Sequence, residues 1–288
     1  TPEEVFAAAA EGKPMPFDLP VTVTLRSQAA IARTQSANVV GLLRGSDESL
    51  RDEYVVLTAH LDHIGRGAAV NGDTIYNGAF DNATGIAVLL EAARTLAQSP
   101  VKPRRSVLFV AVTAEEKGLL GSDYFARNPT VPLASIVANV NMDMPVVMWP
   151  ASNFTAFGAE HSTLGEVARK ALAAEKLAMS PDEQPEEVIF VRSDQYSFVK
   201  RGIPSLYLDN GNGSTDASVD VKARTKEFLR TNYHMPSDQA SLPIHYPSLA
   251  KLARVNARIA LAIANERRRP AWLPGDFFGE VYGRPNGR

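Results

Sequence analysis

The stretch YVVLTAHLDH, residues 54–63, decides the fold class. Its first six residues form a continuous apolar and β-branched run, which is typical of a strand covered on both faces. The runs SVLFVAVT (106–113) and SIVANVNM (135–142) repeat this pattern, and segments with helical spacing of apolar residues lie between the three runs. Strands that alternate with helices in this way predict an α/β fold with one doubly wound, mostly parallel sheet and helices on both faces.

The flanking segments predict further elements. Residues 65–78 are rich in Gly and Asn, which favours a loop, and residues 209–230 show no convincing apolar period. The other predicted strands are 21–26, 38–43, 188–191 and 204–208, and the predicted helices are a short one within 1–20, then 82–98, 119–127, 161–179, 194–201 and 248–267. We expect a single domain over 1–288, with a linker and edge strand in 1–37 and a surface tail in 269–288.

Composition argues against several classes of protein. The 288 residues include 30 Lys+Arg and 32 Asp+Glu, a formal net charge of −2, so bulk electrostatics gives no basis for holding nucleic acid or an anionic membrane. No run approaches the ~18 apolar residues of a membrane span, and residues 1–20 lack the pattern of a signal peptide. The sequence has no cysteine, which excludes thiol catalysis, disulfides and Cys-based zinc sites. It also lacks the motifs of Ser hydrolases, P-loop enzymes and Rossmann dehydrogenases.

Acidic and imidazole residues follow all three central strands. The residues at these ends are His60, Asp62, Glu115, Glu116 and Asp143, and Asp81 opens the helix after the glycine-rich loop. Ligand sites in doubly wound sheets lie beyond the carboxyl ends of the strands, so we expect these side chains to converge. Imidazole with several carboxylates suits zinc or a similar divalent ion, and such a cluster of acids would repel itself without cations. The pattern therefore predicts a metal site.

Five ordered motifs resemble those of the co-catalytic di-zinc aminopeptidases. They are H-L-D-H (60–63), F-D-N-A-T-G (80–85), A-E-E-K-G-L-L-G-S (114–122), N-M-D (141–143) and N-Y-H-M-P-S-D (232–238). That family includes bacterial leucyl aminopeptidases and, more distantly, glutamate carboxypeptidase and the enzymatically inactive transferrin receptor. The resemblance covers roughly 38–268 and implies the same doubly wound fold, hydrolysis of peptide bonds and two Zn²⁺ ions per chain.

The resemblance also implies a set of metal ligands in which each ion has two ligands of its own and shares one. The first pair is His60 and Asp143, the second pair is Glu116 and His234, and the shared, bridging residue is Asp81. Two-metal hydrolase sites place their ions roughly 3.5–4 Å apart, a distance that one bidentate carboxylate can span. Gly85, one turn after Asp81, is expected to leave space for a close approach.

Two further residues would take part in the chemistry. By resemblance, Glu115 is the general base that takes a proton from the metal-bound water and returns it to the leaving amine. The competing interpretation makes Glu116 the base and Glu115 the ligand. Tyr233 matches a tyrosine whose hydroxyl donates to the developing oxyanion.

Two carboxylates are interpreted as partners of the ligand imidazoles. Asp62 lies two residues after His60, and this spacing on a strand puts both side chains on one face. We therefore expect Asp62 to orient His60, and Asp238 to orient His234, through the second ring nitrogen. His63 is expected near the metal loop.

The segment S-D-Q-Y-S-F (193–198) resembles another family signature, S-D-x-x-x-F. The family often has His where Gln195 stands, so no catalytic role is assigned to this position. We interpret the segment as part of a substrate-pocket wall formed by Phe190, Tyr196 and Phe198. His161 and His245 match no motif and are predicted to lie at the surface.

The expected activity is removal of N-terminal residues from peptides with a free N-terminus, because an acidic rim attracts an α-ammonium group. A carboxypeptidase or dipeptidase is an alternative, since Arg192, Lys200 and Arg201 lie near the predicted pocket and could hold a carboxylate. Two further alternatives are a single-zinc glutaminyl cyclase and a non-catalytic binding domain. A non-catalytic binding domain would be expected to lack some of the metal ligands. We expect neither nucleic acid nor membrane as a partner. The resemblance implies a secreted or periplasmic protein, and we expect this chain to be without a protease-associated domain.

Overall fold

The computed structural model describes residues 1–18 and 20–283 and divides the chain into two units, 1–35 and 36–288. In the first unit, helix α1 (Pro2–Ala10) is capped by Thr1, whose hydroxyl accepts a hydrogen bond from the backbone N–H of Glu4. Residues 21–26 form no strand, so that prediction is wrong. Their apolar side chains are exposed, and alternation alone does not make a strand without a surface to pack against.

The second unit contains a seven-stranded sheet and a separate hairpin. The strands are β1 (Val39–Leu43), β2 (Tyr54–His60), β3 (Gly65–Val70), β4 (Asp73–Tyr76), β5 (Ser106–Val112), β6 (Ile136–Asn141), β7 (Asn153–Phe157), β8 (Ala178–Ser180) and β9 (Ser205–Asn210). The sheet order is β1-β5-β2-β6-β9-β7-β8. Strands β5, β2, β6 and β9 are parallel, β1 is antiparallel to β5, and β7 is antiparallel to β9. The predicted mostly parallel sheet is therefore confirmed.

Helices cover both faces of this sheet, as the sequence predicts. They are α2 (Thr84–Gln98), α3 (Leu120–Arg127), α4 (Leu164–Ala174), α5 (Gln195–Val199), α6 (Val221–Thr231), α7 (Tyr246–Asn265) and α8 (Phe277–Tyr282). Within β2, Val55 and Leu57 belong to a core that includes buried residues of α2, α4 and α7. Val56 lies in a second core with Phe125 of α3 and Phe198 of α5. Successive residues of the central strand thus pack into opposite layers.

Several elements differ from the sequence-based expectation. The predicted loop 65–78 contains the β3–β4 hairpin, whose Asn71 and Gly72 both have positive φ, as an Asn-Gly hairpin turn requires. The polar segment 209–230 contains α6, whose buried residues are Val221 and Phe228, too few to give a visible apolar period. The predicted strand at 188–191 is instead a single helical turn, Ile189–Val191. None of the helices in the described parts of the chain has the length and apolar character to cross a membrane.

The buried guanidinium of Arg105 fixes the C-terminal end of α7. It donates hydrogen bonds to the backbone carbonyls of Ile263, Glu266 and Arg267 and to the carboxylate of Glu53. The carbonyls at a helix end have no partner inside the helix. Arg105 therefore satisfies these groups and anchors the helix end beside the sheet.

At the other end of α7, His245 is the capping residue. Its imidazole accepts a hydrogen bond from the backbone N–H of Ser248. The residue is half-buried, so its predicted surface location is only partly right.

Candidate metal centre

The five predicted metal ligands come together beyond the carboxyl ends of the parallel strands. His60 ends β2, Glu116 follows β5, Asp143 follows β6, Asp81 precedes α2, and His234 follows α6. Asp81 lies at the centre of this group. Its two carboxylate oxygens face different imidazoles, and this divides the site into two halves.

The buried half is formed by His60, Asp143 and Oδ1 of Asp81. Nε2 of His60 lies 2.9 Å from Oδ1 of Asp143 and 3.2 Å from Oδ1 of Asp81. Burial lowers the pKa of His60, but the carboxylates of Asp143 and Asp81 outweigh this effect and raise the pKa well above its usual value. The negative charge of this half therefore attracts cations strongly.

The open half is formed by Glu116, His234, His63 and Oδ2 of Asp81. Nε2 of His234 lies 3.0 Å from Oε2 of Glu116 and 3.2 Å from Oδ2 of Asp81. These two contacts raise the pKa of His234 to about 10. Nδ1 of His63 lies 2.7 Å from Oε1 of Glu116, so a third histidine joins this half. The sequence placed His63 near the metal loop without assigning it a role.

The donor atoms fit a pair of divalent cations. Two groups, His60–Asp81–Asp143 and His63–Asp81–Glu116, each bring their donor atoms within 4.8 Å of one another. Despite the 2.7 Å contact, the buried ring nitrogens of His63 and Oε1 of Glu116 have no partner with hydrogen-bond geometry among the described residues. Imidazole nitrogen and carboxylate oxygen are ligands that zinc takes in hydrolytic sites. The residues present therefore suit such ions, with Asp81 between them.

Asp238 supports Asp81 and not His234, which corrects the sequence-based interpretation. Its carboxylate accepts hydrogen bonds from the backbone N–H groups of Phe80, at 2.9 Å, and Asp81, at 3.0 Å. The backbone carbonyl of Asp238 accepts a further bond from the N–H of Ala79. The loop after His234 turns this buried carboxylate toward the start of α2, where unpaired N–H groups are available.

Asn82 ties the Asp81 segment to the loop of Asp143, a contact that the sequence analysis missed. Its side-chain amide donates to the carbonyl of Met142 at 3.0 Å and accepts from the N–H groups of Met144 and Gly85. A Cβ at Gly85 would lie 2.0 Å from Oδ1 of Asn82. The close approach expected at Gly85 is thus made by Asn82, which the F-D-N-A-T-G motif already contains.

The carboxylate of Asp62 does not touch His60, and its predicted role is corrected. It accepts hydrogen bonds from the N–H of Ala114, at 2.8 Å, and the hydroxyl of Thr113, at 2.5 Å. The backbone carbonyl of Asp62 is the group that lies 2.8 Å from Nδ1 of His60. Strand β2 ends at His60, so strand alternation no longer sets the direction of Asp62. Its side chain instead fixes the turn that presents Glu115.

Glu115 begins the turn Glu115–Lys117, which the chain enters through Ala114 at φ 54°. Burial, together with the negative charge of Asp143, raises the pKa of Glu115 to about 9, against the opposing effect of His60. The two neighbouring carboxyl groups therefore have different surroundings. The pKa of Glu115 is raised mainly by burial, whereas Glu116 contacts the imidazoles of His63 and His234. Glu115 is a carboxyl group with a high proton affinity next to the centre.

Tyr233 lies over the open half. Its ring stacks on that of His234, with centroids 3.8 Å apart. Burial and the negative charges of Asp81 and Glu116 raise its pKa above the usual value. The phenol is therefore protonated at neutral pH and can act as a hydrogen-bond donor.

A buried polar network supports Asp143 from behind. The hydroxyl of Ser193 donates to Oδ2 of Asp143 at 2.5 Å. The amide of Asn141 donates to Ser193 and to Gln195, and Gln195 donates to the carbonyl of Phe190. Gln195 thus holds its own segment in place. Ser193 belongs to the S-D-x-x-x-F motif, but the motif alone does not predict its contact with Asp143.

The three residues predicted to form a pocket wall do not share one surface. Phe198 is fully buried in the second core against Phe125, so its assignment to the wall is wrong. The small helix α5 turns this side chain toward α3. Phe190 packs with Phe157 in another cluster, and Tyr196 is a partly buried neighbour of that cluster.

His161 is part of a contact between the sheet unit and its C-terminal segment, which we define as residues 271–282. Nδ1 of His161 lies 2.6 Å from the carboxylate of Asp276, and its ring packs against Phe190 and Phe278. The hydroxyl of Tyr196 lies 3.3 Å from that of Tyr282. His161 is therefore a packed, half-buried residue, and its predicted surface location is wrong.

Comparisons with known proteins agree with this fold. The model of Peptidase family M28 matches residues 38–260. A probable zinc metalloprotease of Pyrenophora teres f. teres (strain 0-1) is 36% identical over 107 residues, which cover 37% of this chain and 22% of that protein. Aminopeptidase NAALADL1 of Mus musculus is 35% identical over 116 residues, which cover 38% of this chain and 14% of that protein.

A solved structure shares the fold. The Peptidase M28 precursor of Shewanella amazonensis superposes with a TM-score of 0.58 at 24% identity, covering 82% of this chain and 46% of that one. The chain thus spans under a quarter of the two sequence relatives and about half of this structure. The matched residues, 38–260, cover most of the sheet unit, and all five motifs and every predicted ligand lie within that range. The chain belongs to Peptidase family M28.

Proposed function

We propose that this chain is a zinc-dependent exopeptidase that removes N-terminal residues from peptides. The observation that carries the proposal is the position of Asp81, whose two oxygens face His60 on one side and His234 on the other. Asp81 would bridge two ions, with His60 and Asp143 on the first. Glu116 would hold the second ion together with His234. His63, whose Nδ1 lies 2.7 Å from Glu116, could act as a further ligand.

The residues around the centre suit the hydrolysis of a peptide bond. When bound, a pair of zinc ions supplies Lewis-acid stabilisation and lowers the pKa of a water molecule. In this proposal Glu115 takes the proton of the attacking water and returns it to the leaving amine. The positive charge of bound zinc would lower the raised pKa of Glu115 toward the neutral range in which a general base works. In this proposal the hydroxyl of Tyr233 donates a hydrogen bond to the oxyanion that develops on the substrate carbonyl.

The charge of the site favours an N-terminal substrate. Several carboxylates surround the centre, and even with two zinc ions bound they offer hydrogen-bond acceptors for the α-ammonium group of a peptide. Two relatives agree in part, since one is named an aminopeptidase and the other a probable zinc metalloprotease. Other relatives are named glutamate carboxypeptidase 2 homologues, from Caenorhabditis elegans and Caenorhabditis briggsae, so the relatives do not separate the two activities. The acidic charge of the site is what supports an aminopeptidase over a carboxypeptidase.

The test is zinc analysis combined with hydrolysis of aminoacyl anilides, each with a free or an acetylated amino group. We expect two zinc ions per chain and cleavage of the free-amine substrates alone. Equal cleavage of the acetylated forms would contradict an aminopeptidase. One zinc per chain with cyclisation of N-terminal glutamine would instead identify a glutaminyl cyclase.

A variant of the proposed base tests the mechanism separately. Glu115→Gln is expected to keep its zinc content and to lower kcat by at least about 100-fold, the usual range for loss of a general base. The exposed Glu48→Gln variant is the matched control and should keep full activity. Loss of zinc in Glu115→Gln would show that Glu115 is a ligand and not the base.

A further inference from the structure

The dipeptide Asn-Gly occurs four times among the described residues, at 71–72, 77–78, 210–211 and 212–213. A fifth, at 286–287, lies outside the described residues. At such a step the backbone nitrogen of the glycine can attack the side-chain amide of the asparagine, because glycine has no side chain to obstruct the approach. The attack requires a glycine nitrogen without a hydrogen bond and an asparagine side chain that can rotate. The structure therefore ranks the four steps by what holds each group.

Three of the four steps are restrained by hydrogen bonds. The side-chain amide of Asn77 donates to the carbonyl of Pro236 at 2.9 Å. The nitrogen of Gly211 donates to the backbone carbonyl of Asn153 at 3.4 Å, and the nitrogen of Gly213 donates to the side-chain oxygen of Asn153 at 2.8 Å. In each of these steps, one of the two reacting groups is already engaged.

The step at 71–72, at the tip of the β3–β4 hairpin, has no such restraint. Neither the side chain of Asn71 nor the N–H of Gly72 has a hydrogen-bond partner among the described residues, and both residues are exposed. A Cβ atom at Gly72 would meet nothing within 4 Å, whereas one at Gly78 would collide with the carbonyl oxygen of Asp81. Both reacting groups at the hairpin tip are therefore free and open to water.

The hairpin tip is also weakly held by the rest of the hairpin. The register shifts between the pair Arg66–Ile75 and the pair Val70–Asp73, so the last pair before the turn is separated from the regular part of the ladder. All six residues of β3 are exposed, and a two-stranded hairpin is only marginally stable by itself in water. The turn can therefore open and bring the nitrogen of Gly72 to the side chain of Asn71.

We propose that Asn71 is a site of spontaneous deamidation, an inference that is independent of the proposed function. The nitrogen of Gly72 forms a bond to Cγ of Asn71, and the bond from Cγ to the side-chain nitrogen breaks. That nitrogen leaves as ammonia, with the proton that the nitrogen of Gly72 gives up. Water then opens the resulting succinimide at either carbonyl, which yields aspartate or isoaspartate. Each event adds one negative charge to the formal net charge of −2.

The test is mass spectrometry of proteolytic peptides after prolonged incubation of the whole protein at mildly alkaline pH. We expect conversion at Asn71 to be about ten-fold or more faster than at Asn77, Asn210 or Asn212, because each of those steps must first break a hydrogen bond. Conversion at Asn286 is measured in its own peptide and does not enter the comparison. Equal rates at the four steps, or a faster rate at any of the other three, would overturn the inference.

Two controls show whether the fold sets this ranking. In urea-unfolded protein the hydrogen bonds are gone, so the four steps should react at similar rates. A ranking that persisted there would come from the sequence alone and would overturn the structural inference. Asn153→Ala removes the acceptor of the Gly213 N–H, so conversion at Asn212 should become several-fold faster while that at Asn71 stays the same. An unchanged rate at Asn212 would contradict the protective role of the hydrogen bond.

Discussion

The two halves of the centre are built in different ways. In the buried half, the side chain of His60 is 0% exposed and that of Asp143 is 12% exposed, and His60 ends a central strand. In the open half, the side chains of His63 and Glu116 are also little exposed, at 5% and 7%, but His234 is 36% exposed and lies on a loop with φ at 56°. Strand β2 therefore fixes the imidazole of the buried half, whereas a loop fixes the imidazole of His234 in the open half.

The supports behind the two halves differ in the same sense. Asp143 receives a hydrogen bond from Ser193 on its carboxylate and one from Tyr207 on its backbone carbonyl. In the open half, Oε1 of Glu116 has no partner with hydrogen-bond geometry among the described residues. A well-supported ligand is held in place for its ion, while a less supported one can adjust as substrate enters. We expect the buried half to bind its ion more tightly.

The largest expected effect comes from removing one imidazole from each half. His60→Ala and His234→Ala should each weaken binding of one zinc ion by more than about 100-fold, because loss of an outer partner alone costs about 10–100-fold. The metal-free proteins should differ in stability. His60→Ala leaves two buried carboxylates without their imidazole and should lose about 3 kcal/mol. His234→Ala should lose less, about 1 kcal/mol, because His234 is partly exposed and His63 remains 2.7 Å from Glu116. Zinc titration against a chelator and urea unfolding measure the two quantities, and equal losses of stability would contradict the comparison.

A smaller effect is expected from the support of Asp143. Ser193→Ala should weaken one of the two zinc-binding steps by about 10–100-fold and leave the other unchanged. Ser197 is a buried serine of the same segment that contacts Ser122, so Ser197→Ala is the matched control. Calorimetric zinc titration resolves the two steps. A similar change in both steps would show that Ser193 supports the whole centre and not one half.

The smallest expected effect is on stability in acid and concerns Glu53, which lies outside the metal centre. It distinguishes the acid sensitivity due to Glu53 from that due to the metal ligands. Burial raises the pKa of Glu53, but hydrogen bonds from Arg269 and Arg105 outweigh it and lower the pKa overall. Since the folded pKa lies below the unfolded value of about 4.3, the pair stabilises the protein above that pH. This stabilisation is lost as the pH falls through the folded pKa.

Glu53→Gln should therefore lose about 1 kcal/mol near pH 7 and fall less steeply in stability than the unmodified protein below about pH 4. Urea unfolding of the metal-free protein across this range provides the measurement. Zinc affinity near pH 7 should not change. Parallel acid curves for the two proteins would exclude a contribution from Glu53.

The sheet and the meeting of the ligands could be predicted, because both follow from strong local patterns. A run such as Val55–Ala59 is stable only where both faces are covered, and the ends of parallel strands meet at one edge. The partners of Asp62 and Asp238 could not be predicted. A loop carboxylate binds any N–H group that the fold brings near, so Asp238 binds Phe80 and Asp81 although His234 is closer in sequence. Helix α6 could not be predicted, because its buried residues are Val221 and Phe228 and two residues give no recognisable apolar period.

The anchoring of α7 by Arg105 has a practical consequence for anyone who wishes to shorten this protein. The family match ends at residue 260, inside α7 (Tyr246–Asn265). A chain cut there would lose the carbonyls of Ile263 and Glu266 and leave the buried guanidinium of Arg105 largely unpaired. It would also lose Phe278, which packs on Phe190. A stable shortened protein therefore has to extend through α8.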